Sequence, residues 1–387
     1  MKGLVVVIRI WLVRVGFGLG RRLPLRRRVL LATSHADHLG GNLTFIHAEL
    51  RRRRPEVSVA VLAHRAAEGW RGRLGGALGA LRAGYHLARA RLVVIDDYYF
   101  PLYASRPRRG TTVVQTWHAS GAFKKIGYSV LDRAFGADEA LTSRVQIHAN
   151  YDMCLVGSQT ATPHYAGAFE QPPERFVSRL GIPRTDLFFD ADTIARTSAN
   201  IRRHYGLPSD RRVVLYAPTF RGERVTRARH SEELDLVEMM RELGDGFILL
   251  VRLHPFVRGR TRIGAELAGF AFDVSDHPDI NELMLISDVL ITDYSSAIFE
   301  YSLLERPMAF FAPDLDAYER ERGFYFDYRS GVPGPVFTET RALGRWLREG
   351  PVDLERVRRF RDASFEVADG RASQRFVENI VLPALDG

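Results

Sequence analysis

The chain has 387 residues, of which 46% are hydrophobic and 26% charged, so it is long enough for two domains and has an ordinary globular composition. Its net charge of +9 is concentrated at one end: residues 1–28 carry eight basic side chains and no acidic one, which leaves 47 basic against 46 acidic side chains elsewhere. A nearly neutral body argues against nucleic-acid binding, which needs a basic surface built into the fold. A single cysteine, Cys154, excludes an internal disulfide and a cysteine-based metal site, and indicates a reducing, cytoplasmic setting.

The first predicted element, residues 1–28, is a basic apolar segment that we expect to lie on an anionic membrane surface. Residues 3–20 are apolar, but Arg9 and Arg14 lie within them, and each costs about 2.5–3.5 kcal/mol near the centre of a bilayer. A segment in the membrane interface, with Trp11 and Phe17 among the lipids and the arginines facing the headgroups, fits better than a spanning helix. The absence of a small-residue cleavage site disfavours a secretory signal. A plain buried first strand or helix is the alternative.

From residue 29 onward, short β-branched runs alternate with helical stretches, which is typical of parallel sheets with crossover helices. The first series of strands is predicted at 29–33, 57–63, 92–96, 112–117, 153–157 and 176–180, and the second at 213–217, 247–253, 271–274, 289–292 and 308–311. A polar stretch at 190–212 separates the two series and is predicted to be a helix followed by a linker.

This pattern predicts an α/β fold with two Rossmann-like, doubly wound domains that face each other across a cleft. We place the N-terminal domain at residues 29–200 and the C-terminal domain at 201–365, followed at 366–387 by a helix that could pack on the first domain. Such sheets bind ligands at the carboxyl ends of their strands.

The segment 279–306 carries the clearest signal for a binding site. An apolar strand runs into Asp293, Tyr294, Ser295 and Ser296, and a helix follows at once. Free backbone N–H groups and the positive end of a helix dipole suit a phosphate, and the two serine hydroxyls add further donors. The alternative is that Asp293 and Ser295 only cap the helix.

Two further strands of the second domain end in polar residues at the same edge. Residues 213–221 end in Thr219 and Arg221, and residues 249–256 contain Arg252 and His254 after a strand. Together with the serine turn they predict a rim suited to a nucleoside diphosphate. No acidic cluster with metal-ligand spacing lies near these motifs, so fixed cations and dipoles are expected to replace a metal ion, and no cofactor is expected.

In the first domain, residues 113–127 predict a strand that delivers His118 to the cleft. An imidazole can accept a proton at neutral pH, so His118 is a candidate general base, although a lone histidine is more often structural and the chain has twelve. Candidates for the acceptor side lie in two loops of this domain: Gly40, Gly41, Asn42, Lys124 and Lys125. A simple turn explains the paired glycines equally well.

Taken together, the motifs resemble those of the CDP-glycerol glycerophosphotransferase family, the polymerases and primases of teichoic-acid and related capsule synthesis, which have a GT-B fold. The resemblance covers most of the chain from about residue 29. The family usually has Gly-Thr-Pro after the first histidine, where residues 119–121 are Ala-Ser-Gly, and this departure concerns the shape of the acceptor site. The motifs are TWH at 116–118, KKIG at 124–127, LGIPRTD at 180–186, LYAPTFR at 215–221, RLHP at 252–255, SDVLITDYSS at 287–296, RP at 306–307 and DLDAYERERGFYFDY at 314–328.

The resemblance implies that His118 and His254 are the catalytic pair and that the turn at 293–296 binds the donor diphosphate. It also implies transfer of a polyol phosphate, with glycerol phosphate as the expected unit, from CDP-glycerol or CDP-ribitol to a lipid-linked polymer. CMP would be released at the cytoplasmic face of the membrane. The identity of the polyol, and whether one unit or many are added, stay open.

Two alternatives belong to other classes of function. The same rim could bind a nucleotide sugar in a GT-B glycosyltransferase of cell-envelope polysaccharide synthesis, which would release a nucleoside diphosphate instead of CMP. A basic, membrane-attached binding protein on a degenerate transferase fold is the second alternative. The presence of both histidines and of the complete phosphate rim disfavours it.

Overall fold

The computed structural model describes residues 2–34, 36–64, 69–131, 139–221, 234–253 and 263–386. The first domain is built on a six-stranded, all-parallel sheet with the strand order β2-β1-β3-β4-β5-β6. Its strands are β1 (Arg26–Thr33), β2 (Ser58–Ala63), β3 (Ala90–Ile95), β4 (Thr112–Gln115), β5 (Met153–Leu155) and β6 (Phe176–Val177). Its helices are α1 (Lys2–Arg21), α2 (Gly41–Arg53), α3 (Gly69–Leu87), α4 (Phe100–Ala104), α5 (Glu139–Thr142) and α6 (Thr162–Phe169).

Helix α7 (Ala191–Tyr205) leads to a second all-parallel sheet with the strand order β12-β11-β10-β7-β8-β9. The strands are β7 (Arg212–Tyr216), β8 (Phe247–Val251), β9 (Ala271–Asp273), β10 (Val289–Thr292), β11 (Met308–Phe311) and β12 (Val336–Phe337). The helices are α8 (Leu236–Leu243), α9 (Ile280–Ile286), α10 (Ala297–Ser302), α11 (Leu315–Glu321), α12 (Tyr328–Gly331), α13 (Thr340–Glu349) and α14 (Leu354–Ser364).

The central strands are apolar on both faces because helices cover both sides of each sheet. The four residues of β10, for example, are all buried, as are the five of β8. All eleven predicted strands are present, several of them shorter than expected. Strand β12 was not predicted, because a two-residue edge strand has no periodicity to detect.

The stretch between the two sheets is a helix with clear end signals. The Asp190 side chain accepts a hydrogen bond from the Thr193 N–H at the start of α7, at 3.0 Å. Gly206 ends the helix with a φ of 63°, in the left-handed region that glycine adopts without strain.

Each sheet has a point at which its strand order reverses, and ligands bind at such points in open α/β sheets. In the first sheet this point lies between β1 and β3, and in the second between β7 and β10. The loops that follow these strands therefore define where a site is expected. His118 follows β4, the neighbour of β3, and the turn at 293–296 follows β10.

The end of the chain returns to the first domain. After α14, Glu366 N–H donates to the Gly157 carbonyl at 2.8 Å. The helix α15 (Ala372–Phe376), a π-helical turn (Val377–Val381) and α16 (Leu382–Asp386) follow. The Asp186 carboxylate accepts from the N–H groups of Ala372 and Ser373, both at 2.8 Å, so the first domain caps this final helical segment.

Helix α1 packs closely along α3. A Cβ atom on Gly16 would lie 2.0 Å from the Leu81 carbonyl oxygen, and one on Gly84 would lie 2.1 Å from that of Val13, so only glycine permits this crossing. The expectation that Phe17 faces lipid is wrong, because Phe17 packs against the core of the first domain.

The other face of α1 is exposed and apolar. Trp11 is 61% exposed on this face, together with Leu4, Val5, Val7, Ile8 and Leu19. By length and composition, α1 is the one helix within the described ranges that could cross a membrane.

Candidate functional site

The loop that carries His118 is held by side-chain hydrogen bonds from Asn42 and Gln115. Trp117, at its centre, has a φ of 52°, which a non-glycine residue adopts only where surrounding contacts impose it. Its N–H donates to the Gln115 side chain at 2.8 Å, and its carbonyl accepts from Asn42 Nδ2 at 2.9 Å. Asn42 also donates to the Thr116 carbonyl at 3.1 Å. The loop therefore presents His118 in one fixed direction.

The His118 side chain is 52% exposed and lies over the Trp117 ring, with 4.4 Å between ring centroids. Its Nδ1 atom is 3.5 Å from Asp97 Oδ1, close enough for the carboxylate to stabilise a protonated imidazole. Asp97 follows β3 and was not predicted as a site residue. The signal was available, because two consecutive aspartates follow β3 at the same edge from which His118 projects.

Arg184 connects this loop to the second domain. Its Nη1 donates to the His118 carbonyl at 2.8 Å, and its Nε donates to Glu300 Oε1 at 3.0 Å. Glu300 lies on α10 and is 2% exposed, and it also accepts a hydrogen bond from the Ser120 hydroxyl. The two halves of the cleft are thus joined by a buried, hydrogen-bonded ion pair. Arg184 lies in the LGIPRTD motif, to which no role was assigned from sequence.

The turn after β10 is organised by the Asp293 carboxylate, which is 1% exposed. Its Oδ1 accepts from the Thr219 N–H at 2.8 Å and from the Thr219 hydroxyl at 2.9 Å, and its Oδ2 accepts from Arg221 at 2.9 Å. Ser295 Oγ accepts from the Ala297 N–H at 3.2 Å, next to the start of α10. Ser295 and Ser296 are half-buried at the edge of the cleft.

Arg221 is fully engaged within the protein. Its Nε and Nη2 form a bidentate pair with Asp314 at 2.6 and 2.9 Å, and its guanidinium lies over the rings of Tyr294 and Tyr318. Tyr294 is buried, and its hydroxyl donates to Asp314 at 2.8 Å. The predicted donor turn is therefore held in place by a network of hydrogen bonds and ion pairs among four side chains: Asp293, Arg221, Asp314 and Tyr294.

Lys124 and Lys125 lie where the two domains meet. The Lys125 N–H donates to the Gly323 carbonyl at 3.1 Å, and Lys124 pairs with Phe324 in an isolated antiparallel bridge. Burial, together with the charges of Arg322 and Arg221, lowers the pKa of Lys124 to about 7, although Asp293 opposes this shift. Lys124, predicted on the acceptor side, thus lies near the predicted donor turn.

The remaining predicted residues are placed in different surroundings. Arg252 donates to the His277 carbonyl at 3.3 Å, and burial lowers its pKa. Gly41 has a φ of 47° at the start of α2, and Gly40 precedes it. His254 lies outside the described residues, so its catalytic role stays a prediction.

Metal binding finds no support in the described part of the chain, where no three His, Cys, Asp or Glu side chains are grouped suitably for an ion. The expectation that no metal is required stays a prediction.

The contribution of Asp314 to the free energy of unfolding should depend on pH. Burial alone would raise the pKa of Asp314, but its bonds to Arg221 and Tyr294 outweigh this, so the pKa lies below its usual value of 3.8. Such a carboxylate stabilises the fold above the unfolded-state pKa, and this contribution is lost as the pH falls through the folded-state value. We predict that Asp314→Asn lowers the free energy of unfolding by about 1–2 kcal/mol at neutral pH.

Denaturant unfolding at about pH 7 and about pH 3.5 measures the effect, which should shrink at the lower pH because the carboxylate is then increasingly protonated. The exposed Asp316→Asn on α11 is the control and should change stability little at either pH. Equal losses for Asp314→Asn at both pH values would contradict this role.

Comparison with known proteins identifies the family of this chain. The sequence profile of the CDP-glycerol:poly(glycerophosphate) glycerophosphotransferase family matches residues 18–382. The chain is 37% identical to the teichoic acid ribitol-phosphate primase of Bacillus spizizenii, over 92% of this chain and 92% of the primase. It is 36% identical to the teichoic acid poly(ribitol-phosphate) polymerase of the same organism, over 94% of this chain but 58% of the polymerase.

Among solved structures, a variant of the wall teichoic acid polymerase TagF soaked with CDPG aligns with a TM-score of 0.77 and 26% identity, covering 94% of this chain and 90% of that one. A UDP-GlcNAc 2-epimerase from Neisseria meningitidis aligns with a TM-score of 0.54 and 11% identity, covering 93% of this chain and 100% of that one, which shows the fold alone.

The predicted fold class, two Rossmann-like domains of the GT-B type, is therefore confirmed. The match of the family profile to nearly the whole chain also confirms the predicted resemblance. This chain belongs to the CDP-glycerol:poly(glycerophosphate) glycerophosphotransferase family of teichoic-acid synthesis.

Proposed function

We propose that this chain transfers ribitol phosphate from CDP-ribitol to a terminal hydroxyl of a lipid-linked polyol-phosphate polymer, at the cytoplasmic face of the membrane. The observation that carries this proposal is the position of His118, exposed in the cleft with Asp97 behind it and joined through Arg184 to the helix that follows the donor turn.

Ribitol takes the place of the glycerol expected from the family name because of the relatives. Four ribitol-phosphate enzymes align over 91–96% of this chain at 31–37% identity. Two poly(glycerol phosphate) polymerases, at 34% identity, align over 66–71% of it, and two glycerol-phosphate primases reach 27–28% identity. The more extensive similarity to ribitol enzymes supports CDP-ribitol as the donor.

In the proposed reaction, His118 accepts the proton of the acceptor hydroxyl, whose oxygen attacks the donor phosphorus that bears the polyol. The bond between this phosphorus and the bridging oxygen breaks, and CMP leaves with the bonding electrons. The products are a phosphodiester and CMP. Asp97 would stabilise the imidazolium formed during the step, as the third member of a base arrangement does.

On the donor side, phosphoryl transfer needs alignment and charge stabilisation more than covalent chemistry. We assign the hydroxyls of Ser295 and Ser296 and the ammonium group of Lys124 to the diphosphate. Arg221 and Asp293 act indirectly, because their contacts with Asp314 and Thr219 hold the turn in place. His254 is proposed to act on the CMP phosphate.

Membrane association is proposed to depend on α1. Its exposed face carries Leu4, Ile8 and Trp11, while its closely packed face is fixed to α3. Exposed basic side chains of residues 1–28, Arg21 and Arg22 among them, would complement an anionic lipid surface. An interfacial helix of this kind would place the cleft close to a lipid-linked acceptor.

The donor preference is tested with CDP-ribitol and CDP-glycerol, using a synthetic lipid-linked acceptor and monitoring CMP and product mass. We expect CMP release with both, with a kcat/KM at least about tenfold higher for CDP-ribitol, which corresponds to about 1.4 kcal/mol of discrimination. A higher value for CDP-glycerol would contradict the ribitol assignment. Release of a nucleoside diphosphate from a nucleotide sugar would instead support a glycosyltransferase.

The base assignment predicts that His118→Ala lowers kcat by about 10²–10⁴-fold, the usual contribution of a positioned base. Asp97→Asn should lower kcat by about tenfold, since the imidazolium formed in the step would lose the carboxylate that lies 3.5 Å from its Nδ1 atom. His204→Ala, an exposed histidine on α7, is the control. A folded His118→Ala variant with near-normal CMP release would exclude His118 as the base.

The membrane proposal predicts that Trp11→Ser weakens binding to anionic vesicles by about tenfold, because a large exposed apolar side chain no longer enters the interface. Vesicle co-sedimentation measures this, and binding should also weaken with added salt and with neutral lipid. Val352→Ser, at a comparably exposed apolar residue of the second domain, should leave binding unchanged. Equal binding by the Trp11→Ser variant and the unchanged chain would contradict a role for α1.

A further inference from the structure

A pocket of about 410 Å³ opens beside His118 and is not explained by donor binding. It lies on the side of the histidine that faces α1. Residues from both domains line it, including the aromatic rings of Tyr98, Phe100, Tyr103 and Trp117 and the side chains of Arg9 and Arg322.

The aromatic wall of the pocket is rigid. Tyr98 packs edge-on against Trp117, with 5.4 Å between ring centroids, and its hydroxyl accepts from the Gly127 N–H at 3.2 Å. Burial, with a further contribution from Asp97, raises the pKa of Tyr98 to about 12, so the ring stays neutral. Pockets with aromatic walls and few polar groups are typical of binding sites for organic ligands. This wall suits the carbon framework of a polyol or saccharide.

The two arginines belong to different domains. Arg9 lies on α1, and its guanidinium is 4.5 Å from the centroid of the Phe100 ring. Arg322 follows α11 in the second domain. The described residues that line the pocket include these two arginines and no acidic side chain. Guanidinium groups bind phosphate through paired N–H donors, and the pocket is therefore suited to a phosphate-bearing ligand.

We propose that this pocket is the acceptor subsite and that Arg9 and Arg322 bind the phosphodiester next to the terminal hydroxyl of the acceptor chain. The inference rests on the proposed function, in which the acceptor is a polyol-phosphate chain with a negative charge at every linkage. The last phosphodiester of the acceptor would lie on the two arginines and its last polyol against the aromatic wall. The terminal hydroxyl of the acceptor would then face His118. Arg9 then connects the membrane-facing helix α1 directly to the acceptor.

Two soluble acceptors of equal length test the proposal, one with a phosphodiester next to its terminal polyol and one with an uncharged linkage there. Calorimetry without donor measures their binding to the unchanged protein and to the Arg9→Gln variant. We expect Arg9→Gln to weaken binding of the charged acceptor by about tenfold, the effect of losing a hydrogen bond to a charged group, and to leave the uncharged acceptor unaffected.

Turnover gives an independent measurement. With CDP-ribitol as donor, Arg9→Gln should raise KM for the charged acceptor by the same factor, while kcat and KM for the donor change less than about twofold. Arg21→Gln is the matched control, because it removes an equal charge from the exposed end of α1 without touching the pocket. Arg9→Lys should recover part of the loss, since it restores the charge but not the paired donors.

Equal effects of Arg9→Gln on both acceptors, or no effect on either, would overturn the proposal, since a structural role or no role would then be indicated. An equal loss in Arg21→Gln would also overturn it, because overall charge would then explain the effect. Absence of turnover with any CDP-polyol would count against the proposed function instead. The binding measurement without donor would still decide the role of the pocket.

Discussion

The buried ion pair between Arg184 and Glu300 is the contact on which the geometry of the cleft depends. Arg184 belongs to the first domain and holds the His118 carbonyl, whereas Glu300 lies on the helix that follows the donor turn. Both side chains are largely removed from water, at 11% and 3% exposure, so loss of either partner would leave an unpaired buried charge. The pair thus fixes His118, the proposed base, relative to the turn at 293–296, the proposed donor site.

In each half of the site, one set of side chains faces the cleft and a different set holds the loop that carries them. In the first domain, His118 is exposed while Asn42 and Gln115 hold the strained Trp117 loop from below. In the second domain, Ser295 and Ser296 lie at the edge of the cleft. Arg221 and Asp293 instead form hydrogen bonds with other side chains of the protein. A reacting group keeps its direction only if its own loop cannot relax, and this division of roles provides that rigidity.

Much of this arrangement could be predicted from the sequence. The strands that lead to His118 and to Asp293 are continuous apolar runs ending in polar residues, and such runs show where the carboxyl edge of a sheet lies. The roles of Arg221 and Asn42 could not be predicted in the same way. An arginine that binds a phosphate and one that binds a carboxylate of its own chain have the same local sequence, and Asp314 is 93 residues away from Arg221.

The sequence by itself determined the two series of alternating strands and helices, the polar helix between them and the apolar, basic character of the first helix, because these depend on the order of neighbouring residues. The tertiary structure alone decided that Asp97 lies beside His118, that Phe17 faces protein, and that Arg9 and Arg322 line one pocket. It also decided that Arg184 meets Glu300, 116 residues further along the chain. Partners of this kind are chosen only when distant elements pack, since burial of a charged group requires whichever opposite charge the fold brings within reach.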